Sequence, residues 1–388
     1  MRDGFMIIDA DRHVTEPIEM WREHLPPEFR GSAPYLEFAP CREAPSARVA
    51  RLVERGLVPP TPRLMLNGEP VMHKVSQRAQ IELALASIDR AGQLQAGACP
   101  EAQLRAMDAS GIDIAYLLPT FATYLLGVDT LDPALASAFA GAYNGWLRGF
   151  CGVNPGRLRG VGLVSPHDPA RMIPELERVA GFGWTAVVMR PNPVKGRLLS
   201  DPAYEPFWTA CERLGMAVAI HEGTHTRLPT AGADRFETRF ALHACSHPME
   251  QMMALLALIE GGVLERHPGL RVAFLEAGCG WLPYWLGRLD VEYEHLAGEV
   301  EEQVRMKPSA YFRRQCFMAA EPQEPLLPEN IRHIGEDCVL FGTDFPHLDH
   351  DIDSVDQALA LRSQLGDATL RKALGSNASR FFGAKASP

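Results

Sequence analysis

Short apolar runs of strand length alternate with stretches of helical spacing over most of the chain, and no other feature limits its fold as tightly. The runs are Ile7–Ala10, Ile114–Leu118, Leu158–Val164, Thr185–Met189, Ala217–Ile220, Val272–Leu275, Gln315–Met318 and Val339–Phe341. Amphipathic stretches lie between them, among them Pro133–Gly149, Pro169–Ala180, Pro202–Leu214, Met249–Glu265 and Trp281–Ala297. Runs that are apolar almost throughout suit strands of a parallel sheet covered on both faces. Eight of them predict an α/β architecture closed into a (β/α)8, TIM-like barrel, with its reactive groups at the C-terminal ends of the strands. An open, doubly wound sheet is the competing arrangement. No Gly-x-Gly-x-x-Gly follows the first run, which weighs against a dinucleotide-binding version of it.

A chain of 388 residues accommodates such a barrel as a single domain, residues 1–388. The segment 20–100 interrupts the alternation after the first strand. It is rich in proline, including Pro59, Pro60 and Pro62, and holds the turn Leu66-Asn67-Gly68-Glu69-Pro70. Connections of this length usually cover a site or form an interface, so the insertion is expected to act as a lid or an oligomer contact. A helix is expected over Glu101–Ser110, stopped by Gly111.

The net charge of −10 argues against a nucleic-acid partner, which would need a basic face. No run of about 18 apolar residues suggests a membrane span. The opening Met1-Arg2-Asp3-Gly4 lacks the pattern of a secretory leader, so a cytoplasmic location is expected. The eight cysteines form no Cys-x-x-Cys pair, and in a reducing compartment they read as small buried apolar residues, Cys279 included.

The polar residues that follow the apolar runs carry the chemistry. Asp11 and His13 lie two apart at the end of the first run, so both can face one point. A carboxylate and an imidazole converging there suit a divalent metal. The run Ala217–Ile220 leads into His221-Glu222-Gly223-Thr224-His225, and Val272–Leu275 leads into Glu276-Ala277-Gly278-Cys279-Gly280-Trp281. Val339–Phe341 leads into Gly342-Thr343-Asp344-Phe345-Pro346-His347. Ionisable groups set repeatedly against apolar strands need partners or a metal.

These motifs resemble the amidohydrolase-related superfamily. The resemblance rests on Asp11-x-His13 with Glu16-Pro17, His221, Leu282-Pro283-Tyr284, Arg288-Leu289-Asp290 and Phe341-Gly342-Thr343-Asp344-Phe345-Pro346-His347. It runs from residue 5 to about 384, through Ser376-Asn377-Ala378-Ser379-Arg380-Phe381. The branch it is most similar to contains aminocarboxymuconate semialdehyde decarboxylase and the resorcylate decarboxylases. The resemblance implies a metal-dependent barrel with ligands at Asp11, His13, His221 and Asp344. It also suggests a homodimer acting on a small molecule.

Two departures shape the expected activity. Members with a bridging carbamylated lysine carry it after the fourth strand, where this chain reads Val188-Met189-Arg190-Pro191. The decarboxylases carry a histidine after the sixth strand, where this chain has Glu276. Asp11, Glu276 and Asp344 sum to −3, so one dication leaves −1 and two leave +1, which a hydroxide would neutralise. Glu276 is therefore expected to bridge two metals, with a single-metal site and Glu276 as general acid or base the alternative. The oxygen-rich shell points to iron or manganese, with zinc also compatible.

Other residues carry two readings each. His247, before Pro248 at an expected helix start, and His347 could ligate or could support neighbouring ligands. His243 lies in the same stretch as His247, and Glu16 reads as a supporting carboxylate. Arg190, His225 and Trp281 are candidate substrate contacts, with an internal ion pair the competing role for Arg190. Asp349, His350, Asp351 and Asp353 read as a solvated acidic loop. The expected activity is hydrolysis of an acyl bond (ester, thioester, amide or lactone) of a small organic acid derivative. A metal-bound hydroxide would attack while Asp344 moves its proton. Non-oxidative decarboxylation of an aromatic or enoic acid is the alternative.

Overall fold

The computed structural model describes residues 1–39, 50–51, 54–55, 61–72, 91–223, 229–347 and 353–383. Parallel strands follow one another in chain order around a barrel. They are β1 (Ile8–His13), β2 (Ile114–Leu118), β3 (Leu158–Gly160 with Gly162–Leu163) and β4 (Ala186–Met189). Then come β5 (Ala217–His221), β6 (Val272–Leu275), β7 (Cys316–Ala320) and β8 (Val339–Phe341). Each pairs in parallel with the next. The eight-unit alternation is thus realised as a (β/α)8 barrel with a long insertion after its first strand.

The strands divide their side chains by the two-residue period. Ala217, Ala219 and His221 form one row of β5, and the first two pack with Ala186, Val188, Ala273 and Leu275. The alternate residues Val187, Val218, Ile220, Val272 and Phe274 pack with helix residues Trp208, Leu255 and Phe312. Small residues in the first row leave room for His221 at its end. The helices begin where the sequence supplies caps. Asp132 accepts from the N–H groups of Ala134 and Leu135, both at 2.9 Å, ahead of Pro133–Gly152. Asp168 does the same for Pro169–Gly181. Gly111, at φ 77°, ends the helix Pro100–Ser110.

Closure is made by the chain ends. The N–H groups of Thr343 and Asp344, just past β8, donate to the Asp11 carbonyl at 3.2 and 2.8 Å, and His13 N–H donates to the Phe345 carbonyl at 2.7 Å. A buried network fixes this joint. Asp9 accepts from Thr343 N–H (3.1 Å) and Thr343 Oγ1–H (2.6 Å) and pairs with Arg12 Nη1 at 3.2 Å. Arg12 donates from Nε to Gln103 Oε1 at 2.9 Å and lies over the Phe345 ring. Residues three apart on a regular strand face opposite ways, but the register shifts between Asp9 and Arg12, a β-bulge that lets these two meet. Gly342 passes so close to β1 that a Cβ there would lie 2.6 Å from Asp11 Cβ.

Several boundaries differ from the sequence reading. β1 continues through His13, so Asp11 and His13 lie within the strand rather than beyond an end at Ala10. The run Leu158–Val164 is interrupted at Val161, whose N–H turns to the Leu117 carbonyl. β7 extends to Ala320. The helix expected over Met249–Glu265 starts at Arg239, carries Pro248 inside it and ends at Glu260, with Val263–Arg266 a separate short helix. A proline costs one backbone bond, and this long helix keeps its other bonds. The insertion contains an antiparallel sheet of Tyr35–Ala39, Thr61–Leu66 and Glu69–Pro70. It also contains the helix Ile18–His24 at its start, the 3-10 helix Pro27–Ser32 and the helix Ala91–Ala98, while residues 40–49, 52–53, 56–60 and 73–90 lie outside the described residues. Among the described residues, no helix is long and apolar enough to cross a membrane.

Gly342→Ala is expected to lower the unfolding free energy by about 1–3 kcal/mol through overpacking against β1, read from urea denaturation midpoints. Arg12→Met leaves the Asp9 carboxylate buried without its cation and is expected to cost about 3–5 kcal/mol in the same assay. A change in either protein below about 0.5 kcal/mol would show that the joint does not hold the barrel closed.

Candidate metal centre

Four strand ends deliver charged side chains to one place. His13 Nε2 and His221 Nε2 are 3.2 Å apart, and Asp11 Oδ1 lies 3.4 Å from each. Asp344 Oδ1 approaches His13 Nε2 at 3.3 Å, and Glu276 Oε2 approaches His221 Nε2 at 3.0 Å. Two groups of potential ligand atoms follow: Asp11 with His13 and His221, and His13 with Glu276, Asp344 and His347. Glu276 and Asp344 have φ of 52° and 55°, a backbone conformation that residues with a Cβ seldom adopt. Strain of this kind concentrates at functional sites.

The imidazoles are fixed for metal binding. His13 Nδ1 lies 3.0 Å from the Pro119 carbonyl, and His221 Nδ1 lies 2.7 Å from the Glu222 carbonyl. A carbonyl can only accept, so each Nδ1 carries its hydrogen and Nε2 is the atom each ring turns to the cluster, as a lone pair whenever the ring is neutral. Asp11 Oδ1 is buried there and makes no hydrogen bond. With both rings neutral, two lone pairs and a carboxylate oxygen facing one another repel unless a cation lies between them. The donor set therefore fits a divalent cation.

Without a bound cation the protonation tendencies of the two rings divide. Burial, then His347, pulls His13 down to about 4, which keeps it neutral at neutral pH. Burial would also lower His221, but the Glu276 and Asp11 carboxylates hold it well above its ordinary value. Burial would raise Asp11 and Glu276, yet the adjoining histidines keep both below the usual carboxylate range. Metal binding at such a site displaces protons from its ligands.

Around this cluster the remaining candidates take definite positions. His347 Nδ1 is 2.6 Å from Asp344 Oδ1, its Nε2 is 2.9 Å from Thr120 Oγ1, and its ring lies 4.2 Å from that of His13. His247, within the helix Arg239–Glu260, places Nε2 3.2 Å from Glu276 Oε1, and its ring stacks on His243 at 4.1 Å. A cavity of about 330 Å³ opens here, lined by His243, His247, Glu276, Glu321 and Asp344 among others. That is the scale of a small-molecule site. Arg190 donates to Glu222 at 2.9 Å and to Asn192 at 3.0 Å, so its main contact is an internal ion pair. Trp281 is buried in the layer between strands and helices and is not among the residues lining this cavity. Glu16 accepts from the N–H groups of Phe121 and Ala122, and burial raises it to about 7. The Cys279 thiol is buried and pushed up by that burial, and its N–H donates to Glu324. His225, Asp349, His350, Asp351 and Cys41 lie outside the described residues.

The sequence reading missed the residues that hold these groups in place: Asp9, Arg12, Gln103, Thr120 and Gln251. Gln103 reaches the His13 carbonyl at 3.0 Å, and Gln251 donates to the carbonyls of Ile220 and Leu275. Asp9 and Arg12 flank the ligands in the opening motif, and that adjacency was the available signal. Gln103 and Gln251 sit in helices with nothing local to mark them.

Comparison with known proteins bears on the chemistry. The chain is 28% identical over 231 residues to 2-amino-3-carboxymuconate-6-semialdehyde decarboxylase of Dictyostelium discoideum, covering 59% of this chain and 62% of that protein. It is 27% identical over 222 residues to gamma-resorcylate decarboxylase of Rhodococcus jostii, covering 50% and 62%. The chain thus spans just under two thirds of the length of these curated relatives. Among solved structures, a dihydroxybenzoic acid decarboxylase of Polaromonas sp. JS666, with bound manganese and the inhibitor 2-nitroresorcinol, superposes with a TM-score of 0.68. It shares 19% identity and matches 98% of this chain and 97% of its own, a likeness of fold. These relatives correct the expectation of acyl hydrolysis, since the curated ones are decarboxylases. Replacement of the strand-six histidine by Glu276 was therefore the wrong ground for choosing hydrolysis. In the structure His247, on the neighbouring helix, places an imidazole against Glu276. A family model described as amidohydrolase matches residues 8–384, nearly the whole barrel and every ligand candidate in it, and the chain belongs to that family.

Proposed function

We propose that this protein is a metal-dependent, non-oxidative decarboxylase of a small aromatic or enoic carboxylic acid. The observation that carries the reading is the pairing of a cation-demanding cluster with a cavity whose wall includes the carboxylates of Glu276, Glu321 and Asp344. An anionic substrate would be repelled from such a wall unless positive charge lay beneath it. The decarboxylase relatives support the same reading.

In this reading Asp11, His13, His221 and Asp344 hold a divalent ion, with manganese the metal suggested by the solved decarboxylase. When bound, that ion supplies the charge that orients the substrate's carboxylate and an adjacent oxygen. Asp344 lines the cavity and delivers a proton to the carbon that loses carbon dioxide. The electron pair of the broken carbon–carbon bond stays on that carbon and forms the new carbon–hydrogen bond. His347, hydrogen-bonded to Asp344 and to Thr120, holds the carboxyl in position and returns its proton. The Pro119 and Glu222 carbonyls keep both imidazoles in the ligating tautomer throughout.

The insertion is proposed to cover the mouth. Its helix Ala91–Ala98 docks beside the catalytic loop, with the Gly97 carbonyl accepting from Thr15 N–H at 2.8 Å and Ala96 packed with Phe345. A homodimer in solution is also proposed, for which exposed Phe240, Met249 and Met253 on one helix offer apolar surface.

Dialysis against a chelator is expected to abolish carbon dioxide release from a hydroxybenzoate or enoic acid panel, with activity restored by Mn²⁺. Release of acid from an acyl panel without carbon dioxide would overturn the proposal. Asp344→Asn is expected to reduce kcat by on the order of 10²–10⁴-fold, as loss of a proton-transfer group does. A variant retaining wild-type kcat would remove Asp344 from that role.

A further inference from the structure

The ligand set described so far leaves half of Glu276 unused. Its Oε2 faces His221 Nε2 at 3.0 Å, toward the Asp11–His13–His221 cluster. Its Oε1 points the other way, 3.2 Å from His247 Nε2. His243 and His247 lie four apart on one helix, so they share a face, and their rings stack at 4.1 Å with 20° between planes. Potential ligand atoms of His243, His247 and Glu276 all lie within 4.8 Å of one another. This is a second trio, joined to the first cluster by one carboxylate.

We propose that His243, His247 and Glu276 form a site for a second divalent transition-metal ion, with Glu276 bridging it to the first. The inference rests on the decarboxylase reading only for the presence of the first ion.

Chemistry favours a cation over an internal ion pair alone. Asp11 and Asp344 neutralise one dication, leaving the Glu276 charge for a neighbour to compensate. A dication held by one carboxylate and two imidazoles has a mixed nitrogen and oxygen shell that divalent transition metals accept. His247 Nδ1 contacts Ser246 Oγ at 3.3 Å, which leaves Nε2 directed at Glu276. All three side chains line the cavity of about 330 Å³, so an ion there keeps coordination positions open toward a bound molecule. Such an ion would bind a second oxygen of the substrate, beyond the reach of the Asp11 cluster. Its imidazoles come from one helix and its carboxylate from the residue after β6.

The test is metal stoichiometry of the full-length protein titrated with Mn²⁺, by elemental analysis after removal of excess, with electron paramagnetic resonance of the loaded protein. Two ions per chain and a spin-coupled signal are expected for wild type, falling to one ion and an isolated-ion signal in His247→Gln and in His243→Gln. Circular dichroism identifies any variant that fails to fold, and either histidine variant alone decides the point. Should neither fold, an isolated-ion signal or a coupled one from the wild-type protein decides it. One ion per chain in wild type, unchanged in the variants, overturns the second site and leaves the decarboxylase reading standing, with His247 contacting Glu276 directly. Two ions in wild type that survive both substitutions overturn the assignment to these histidines. No bound ion at all overturns both proposals.

Discussion

The joint between β1 and the loop after β8 governs this molecule. A barrel of parallel strands has no ladder partner for its last strand until the chain returns to its first. Here the return is made by the same few residues that meet at the candidate metal site. The Asp11 carbonyl accepts two N–H groups from the closing loop while the Asp11 side chain reaches into the metal cluster. Asp344 donates one of those bonds through its backbone and offers its carboxylate to the cluster. Folding and site assembly are therefore one event at this joint.

The electrostatics follow from that geometry. Asp9 and Arg12 form a fully buried pair beside the cluster, and Asp9 also takes the Thr343 hydroxyl and N–H. Burying an ion pair is costly, and its gain is fixed orientation rather than net stability. The pair, held by Gln103, keeps the ligand strand from sliding against the closing loop. A metal cluster needs such rigidity, because its donors must converge without relaxing apart.

The fold could be read from the chain because strand patterning is a local property. The apolar runs are short, and their polar ends coincide with residues such as His221, Glu276 and Asp344. Proximity across the barrel is nonlocal, and there the reading was partial. It identified the residues that meet at the mouth, but it placed Asp11 and His13 past the strand and His247 at a helix start. Pro248 misled because proline reads as a boundary, whereas it sits inside a helix anchored along its length. Glu276 misled for a different reason. A substitution at one position was taken as loss of an imidazole, while a helix distant in sequence sets His247 against Glu276. Gln251 had no local signature, because its value lies in carbonyls on two separate strands.

That glutamine has a wider consequence. By grasping the Ile220 and Leu275 carbonyls at once, it pegs the helix bearing His243 and His247 to the two strands that carry His221 and Glu276. The aim of those histidines is thereby tied to the barrel wall itself. The connection out of β5 holds the same helix at a second point, where Ala231 N–H donates to Glu250.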